Sequence, residues 1–403
     1  PEGKALQTTD GQGLAVQNAG AGRTLVATRE LPPYSVVPLQ LVDGSTEPFD
    51  AGLRVEGNLL ENKFIRVKLN TAGDIISLYD KAHQREIVPE GRVANQMLAF
   101  EDRPLNWEAW DIDIFYQDKE FTSDPASSIR IVEEGPLRVS IEIERTILDS
   151  AYRQTISLCA HSPRLDIQTT IDWQQRHTLL KAAFPVNIHS PLASFEVQWG
   201  QVKRPTHHNT SWDWARFETC AQKWIDLSEP DYGVSLLNDC KYGHDVKDDT
   251  MRITLLRSPT KPDPECDRGE HTFTYSLLPH AGPLSTETLQ QAYVLNDPII
   301  AIQNSTPTQP AELELVSTDR ENVIIETIKQ AEDSNNIVVR LYESMGCRGP
   351  VKLECVFDVE QCFASNLLEE IGEPLTTNDR TIRLDIKPFQ IITVIITPNT
   401  SGV

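Results

Sequence analysis

The densest chemistry in the chain lies in thirteen consecutive residues: Pro104, Leu105, Asn106, Trp107, Glu108, Ala109, Trp110, Asp111, Ile112, Asp113, Ile114, Phe115 and Tyr116. Four are aromatic and three are carboxylic acids. An indole face stacks on the C–H face of a pyranose, and carboxylate oxygens accept hydrogen bonds from its hydroxyls, so the combination points to sugar binding. The competing reading is an ordinary strand with a half-buried aromatic face. A second stretch repeats the combination: Thr210, Ser211, Trp212, Asp213, Trp214, Ala215, Arg216, Phe217 and Glu218.

Other chemistries have less support. Nine histidines are present, but none forms H-x-x-x-H or H-x-x-E-H, so the spacing supplies no zinc site from this chain alone. His207 and His208, as neighbours on a strand, point to opposite faces, and His244-Asp245 reads as a turn. There is no G-x-S-x-G elbow, P-loop or G-x-G-x-x-G. Glu265, Asp267 and Glu270 form a second acidic cluster beside Arg268 and His271. Glycoside hydrolysis needs two carboxylates flanking one bond. In an acidic protein such clusters more often lie in solvated loops.

A net charge of −22 argues against nucleic acid and anionic membrane surfaces as partners. No apolar run is long enough to span a bilayer. The seven cysteines show no C-x-x-C spacing and an odd count, which favours free thiols and a reducing, cytoplasmic compartment.

The elements that must position these residues are strands. At 403 residues, two or three domains are expected, and alternating runs between turn signals recur throughout, the all-β pattern. Residues 1–52 read as the remnant of a small β-sandwich. Residues 53–300 read as a large antiparallel β-sandwich, opened by a hairpin with Ile65, Val67 and Leu69 on one face and Asn70 to Asp74 as its turn. One helix is expected over 284–294, with Ser285 as N-cap. After Asn296-Asp297-Pro298 the pattern resets. Six short strands over 301–403 predict a smaller immunoglobulin-like sandwich, with the break between the two near 296–310.

Asn62-x-Phe64-x-Arg66-Val67, followed by Gly73-x-Ile75-x-Ser77-Leu78-x-Asp80-Lys81, resembles the opening hairpin of the C-terminal β region of family 38 α-mannosidases. Trp107-x-Ala109-Trp110-Asp111-Ile112 and the 210–218 stretch resemble the bacterial and cytosolic branch of that family. So do Tyr232 to Gly243, the run Leu255-Leu256-Arg257-Ser258-Pro259-Thr260, and Asp267-Arg268-Gly269-Glu270-His271. The resemblance implies a galactose-mutarotase-like large sandwich. It also implies that this chain is the β half of a retaining, zinc-dependent α-mannosidase, starting partway into the first small sandwich. The zinc ligands and the Asp nucleophile would lie in an upstream catalytic α/β domain, leaving no catalytic residue, metal ligand or cofactor in this chain.

On that resemblance the β region walls the active site and supplies sugar contacts. Trp110 and Asp111 match the contacting aromatic loop best. One of Arg257 and Arg268 is expected near the sugar, and Trp107, Trp212 and Asp213 complete the candidate substrate-binding set. Trp110 and Asp111 would need a bend or bulge to face the same way if they lie on a strand. Expected partners are mannose-containing glycans, the upstream domain and a homo-oligomeric copy, with no nucleic acid and no membrane. Two other readings compete. One is a free-standing carbohydrate-binding sandwich using Trp107, Trp110 and Trp212. The other is an aldose epimerase, which the adjacency of Glu270 and His271 disfavours.

Overall fold

The structure, a computed structural model, describes residues 4–20, 22–28, 31–44, 52–303 and 313–399. The opening hairpin forms from Ile65–Leu69 and Ile75–Asp80, with Val67 opposite Leu78. Its turn is built as its residues dictate. The Asn70 side-chain oxygen accepts from the Ala72 and Asp74 amides, both at 2.9 Å, and Gly73 takes the left-handed conformation. Ile65, Val67 and Leu69 are buried on one face as their alternation requires.

Around this hairpin the chain is all-β, with two α-helices among the described residues. The hairpin belongs to a five-stranded sheet, which packs with a six-stranded and a nine-stranded antiparallel sheet around one continuous core. The six-stranded sheet runs, edge to edge, Glu120–Thr122, Gln96–Glu101, Thr178–Pro185, Thr250–Arg257, Gly243–Lys247 and Thr219–Cys220. It contributes Ala99, Leu180, Ala182, Phe184, Met251 and Ile253 to that core. Ile156, Ile167, Leu236, Phe273 and Tyr275 come from the nine-stranded sheet. Within the core, Asn95, Gln154 and Tyr275 close a ring of hydrogen bonds at 2.8–3.0 Å, so these three buried polar side chains partner one another.

A second core lies between two sheets of the C-terminal part. One contains Val316–Thr318, Gly349–Cys355, Thr376–Asn378 and Thr381–Ile386. The other contains Val323–Gln330, Ile337–Glu343, Val359–Ser365, Ile371–Pro374 and Ile391–Pro398. The sequence pattern missed three strands: Val359–Ser365, whose apolar residues do not alternate and which buries only Val359 and Cys362, Ile371–Pro374, which contains Gly372 and Pro374 and is exposed, and the three polar residues Thr376–Asn378. The domain break expected over 296–310 falls partly on 304–312, outside the described residues.

The N-terminal strands are tied to both larger parts. Ser35–Val36 pairs with Leu313–Glu314. Gln17, nearly buried, accepts from the Leu137 and Arg138 amides at 2.8 Å and donates to the Arg138 carbonyl at 2.9 Å. Gly135 leaves room for it, because a Cβ there would lie 2.1–2.6 Å from the Gln17 amide atoms. Gly135→Ala is therefore expected to cost about 1–3 kcal/mol by overpacking, read by denaturant unfolding. Gln17→Ala removes the same contact, so the double variant should lose less than the sum of the singles; additive losses would contradict this assignment.

The helix forms over Thr286–Asn296, with Ser285 at the N-cap position but making no side-chain cap bond. It packs Leu289 and Ala292 on Trp224, Leu237 and Leu278. Below it, Thr288 and Ser235 hydroxyls are 2.8 Å apart, Ser235 donates to Asp226, and His280 Nε2 lies 2.8 Å from the same carboxylate. Burial opposes charge on His280, but Asp226 outweighs it and raises the imidazole above its ordinary value. A raised histidine stabilises the fold below its unfolded value and ceases to do so as pH rises through the folded one. The melting temperature should thus fall as pH climbs above about 6.5, and this fall should vanish or reverse in Asp226→Asn.

Candidate functional site

Strand Thr178–Pro185 is buried at all eight positions, so both of its faces are covered. Leu180, Ala182 and Phe184 face the main core. Leu179, Lys181 and Ala183 face outward with Leu98 and Phe100 from one neighbouring strand and Arg252 and Thr254 from the other. Two loops cover this outward face, and they are the two aromatic stretches. Tyr116 meets Phe100 at 5.3 Å and Phe217 at 6.5 Å between ring centroids, and Ile112 joins the same cluster.

A charged network fixes the loops from below. Lys181 is fully buried, and its ammonium lies 2.5 Å from Glu218 and 2.6 Å from Asp245. Arg252 pairs with Asp245 at 2.7 Å, Thr254 donates to Glu218, and the Lys181 ammonium sits 5.5 Å from the Tyr116 ring. Burial would discharge Lys181, but Asp245 and Glu218 overcome it and hold the amine above its ordinary range. The expected turn at His244-Asp245 is a strand, Gly243–Lys247. It turns Asp245 into this network and buries His244 on the core side, where burial lowers the imidazole to about 4.

The first stretch is a loop, not a strand. Trp107 adopts the left-handed conformation, the Trp110 and Asp111 amides both donate to its carbonyl at 2.8 and 2.9 Å, and a 3₁₀ turn follows over Ile114–Asp118. Asp113 accepts from the Leu105 amide at 2.9 Å, a local side-chain bond that competes with strand pairing. Trp107 and Trp110 are each 72% exposed and pack edge to face at 6.5 Å. Asp111 is exposed beside them, with Oδ1 accepting from the Ile112 amide at 2.9 Å. Trp110 and Asp111 are therefore both exposed in a loop, with no strand bulge needed between them. Glu108 is tied down: it accepts from the Thr260 amide and hydroxyl at 2.9 Å, and those bonds lower its pKa.

The bulge lies elsewhere, at Leu255. Leu180 opposes Leu256 while Lys181 opposes Thr254, leaving Leu255 extra. Strict alternation after Arg252 and Thr254 would send residue 257 into the core. The extra residue reverses the parity and brings Arg257 to the outward face, opposite Leu179. There Arg257 pairs with Asp102 at 2.5 Å and donates to the Asp111 carbonyl, and its own amide donates to Asp267 at 2.9 Å. Burial lifts the Asp102 carboxyl above its ordinary value, although Arg257 pulls it down. His177 borders this spot: its carbonyl accepts from the Asp102 amide at 2.7 Å, and Nδ1 lies 3.7 Å from Glu108. Trp107, His177 and Asp267 are three of the twelve non-glycine residues with positive φ among the described residues, which are spread along the chain. Sequence reasoning missed Asp102 and His177, because their partners are far away in the chain.

The remaining candidates are placed differently. Arg268 is bound to Glu265 at 2.5 Å and Gln174 at 3.2 Å, and no described bond joins it to the Trp107–Asp111 loop. The second stretch forms a short helix, Ser211–Trp214, in which Asp213 and Thr210 make a capping box; Asp213 thus serves its own loop, and Thr210 lowers its pKa. Trp212 and Trp214 are 81% and 54% exposed. Among the described residues, no three His, Cys, Asp or Glu side chains are grouped to hold a metal.

Two family models match the chain. Residues 60–265 match the glycosyl hydrolases family 38 C-terminal domain, and 322–394 match the glycosyl hydrolases family 38 C-terminal beta sandwich domain. Alpha-mannosidase 2C1 of Homo sapiens is 37% identical over 374 residues, covering 91% of this chain and 36% of its own length. Alpha-mannosidase G of Dictyostelium discoideum is 37% identical over 352 residues, covering 83% of this chain and 32% of its own. The chain thus spans about a third of the length of these relatives. An α-mannosidase crystal structure from Enterococcus faecalis V583 shares the fold, with a TM-score of 0.79 at 18% identity, covering 98% of this chain and 51% of that one. The all-β sheets, the opening hairpin and the family matches agree, and the chain belongs to glycosyl hydrolase family 38, as an α-mannosidase C-terminal region.

Proposed function

We propose that this chain is the C-terminal β portion of a retaining α-mannosidase and walls its sugar site. What chiefly supports the reading is the outward loop, where exposed Trp107, Trp110 and Asp111 are held over a buried charge network by Arg257. In this reading Trp110 stacks on a mannose ring and Asp111 accepts from its hydroxyls. Arg257, already anchored by Asp102, offers its remaining donors to the sugar and is preferred to Arg268. Trp107 and Trp212 extend the aromatic surface for a mannose-containing glycan, and Asp213 acts by shaping the Trp212 loop.

Zinc and the Asp nucleophile are assigned to an upstream α/β domain. The described residues offer no fitting donor set, so no step of this proposal runs through the metal. A cytoplasmic location is part of the proposal, supported by the seven free cysteines. No described helix is long and apolar enough to cross a membrane.

The test is to assay the 403-residue chain and the same chain joined to its upstream region on an aryl α-mannoside. Turnover is expected only in the joined form. Chelator-sensitive turnover by the chain alone would overturn the division of labour.

A further inference from the structure

Two guanidinium groups in this acidic protein donate to nothing described, and they line the same cleft. Arg204 lies near the end of the edge strand Gly200–Pro205, and Arg216 follows the short helix Ser211–Trp214. The Arg204 Nε is buried and unpartnered. The Arg216 side chain makes one loose ion pair, 3.7 Å from Asp213 Oδ1. An orphaned buried donor is costly, and a guanidinium presents its N–H groups as a rigid fork that matches an oxyanion bidentately.

The two histidines complete the wall. His207 and His208 do not point to opposite faces of a strand, because the strand ends at Pro205; both residues line the cleft. His207 Nδ1 is also buried without a hydrogen-bond partner, 3.8 Å from Asp213 Oδ2.

The carboxylates at the cleft are already committed. Asp213 Oδ2 accepts from the Thr210 amide and hydroxyl at 3.2 and 2.8 Å. Glu218 and Asp245 are held from beneath by Lys181 and Arg252. The cleft lining itself carries two guanidiniums and three carboxylates. Lys181 and Arg252 do not line it but pair with Glu218 and Asp245 from beneath; only when they are counted do four positive groups exceed three carboxylates by one, before either histidine is charged. This local excess sits in a chain of net charge −22. The enclosed space is only about 20 Å³, little more than one water needs, so it admits nothing larger than a small tetrahedral group and the rest of any ester stays outside it.

We propose that this cleft is an oxyanion site that takes a phosphate group, held in the fork of Arg204 and Arg216 with His207 and His208 beside it. The phosphate is either free inorganic phosphate or the monoester of a sugar. The recognition chemistry is shared, and the sugar ester adds hydroxyls that reach toward the Trp212 loop.

The test titrates the 403-residue chain with inorganic phosphate, and separately with a hexose 6-phosphate, against sodium chloride at matched ionic strength. It reads the imidazole NMR signals of His207 and His208 and the heat of binding. Saturable shifts at both histidines with phosphate, absent with chloride, are expected. Tighter binding of the ester by about tenfold or more assigns the site to a sugar phosphate; equal or weaker binding assigns it to the free ion. Arg204→Gln and Arg216→Gln should each weaken binding about tenfold or more with an unchanged melting temperature, and Arg204→Lys should recover only part of the loss. Shifts that never saturate, or that persist in the Arg204→Gln/Arg216→Gln double variant, overturn the proposal, as does an equal response to chloride.

Discussion

Replacing Lys181 by methionine is expected to destabilise the chain by about 3–5 kcal/mol, read as a lowered midpoint in denaturant unfolding. The size follows from geometry. The ammonium is fully buried and is the shared partner of Glu218 and Asp245. Removing it leaves two carboxylates in low dielectric: Asp245 keeps Arg252, while Glu218 keeps only the Thr254 hydroxyl. Methionine is close in volume, so the loss comes from uncompensated charge rather than a cavity. Adding Glu218→Gln and Asp245→Asn removes the stranded charges, and the triple variant should be less destabilised than Lys181→Met alone. A near-neutral single variant, or a triple variant worse than the single, would mean that the network does not clamp the two loops.

Much of the scaffold was legible because strands announce themselves locally. Ile65, Val67 and Leu69 alternate, Asn70 and Gly73 specify the turn, and a Cβ at Gly73 would meet Ile143 at 2.9 Å, so no larger residue fits there. The site was less legible for reasons that are also physical. The Trp107–Asp113 segment looks like an alternating strand, but Asp111 and Asp113 bond to their own loop backbone and curl it. Lys181 sits in an apolar run, and its partners lie 37 and 64 residues away, a distance over which no local pattern speaks. The choice between Arg257 and Arg268 depended on an extra residue at Leu255 that reverses which face Arg257 occupies. Nothing in the run Thr254, Leu255, Leu256, Arg257 marks that bulge before the register is known.

The central claim is that the Trp107–Asp111 loop is a sugar-contacting surface, and Asp111→Asn tests it most directly in the chain joined to its upstream region. The substitution is nearly silent for the fold. The side chain is exposed, asparagine keeps the oxygen that accepts from the Ile112 amide, and the Asp111 carbonyl still receives Arg257. For a sugar hydroxyl it exchanges a charged acceptor for a neutral one. A hydrogen bond to a charged group carries roughly ten- to a hundredfold in kcat/KM. The measurement is kcat/KM on an aryl α-mannoside beside the melting temperature of the same sample. The account predicts a fall of roughly ten- to a hundredfold in the first with the second unchanged. An unchanged kcat/KM with a sharply lowered melting temperature would contradict it and make Asp111 a structural residue of its loop.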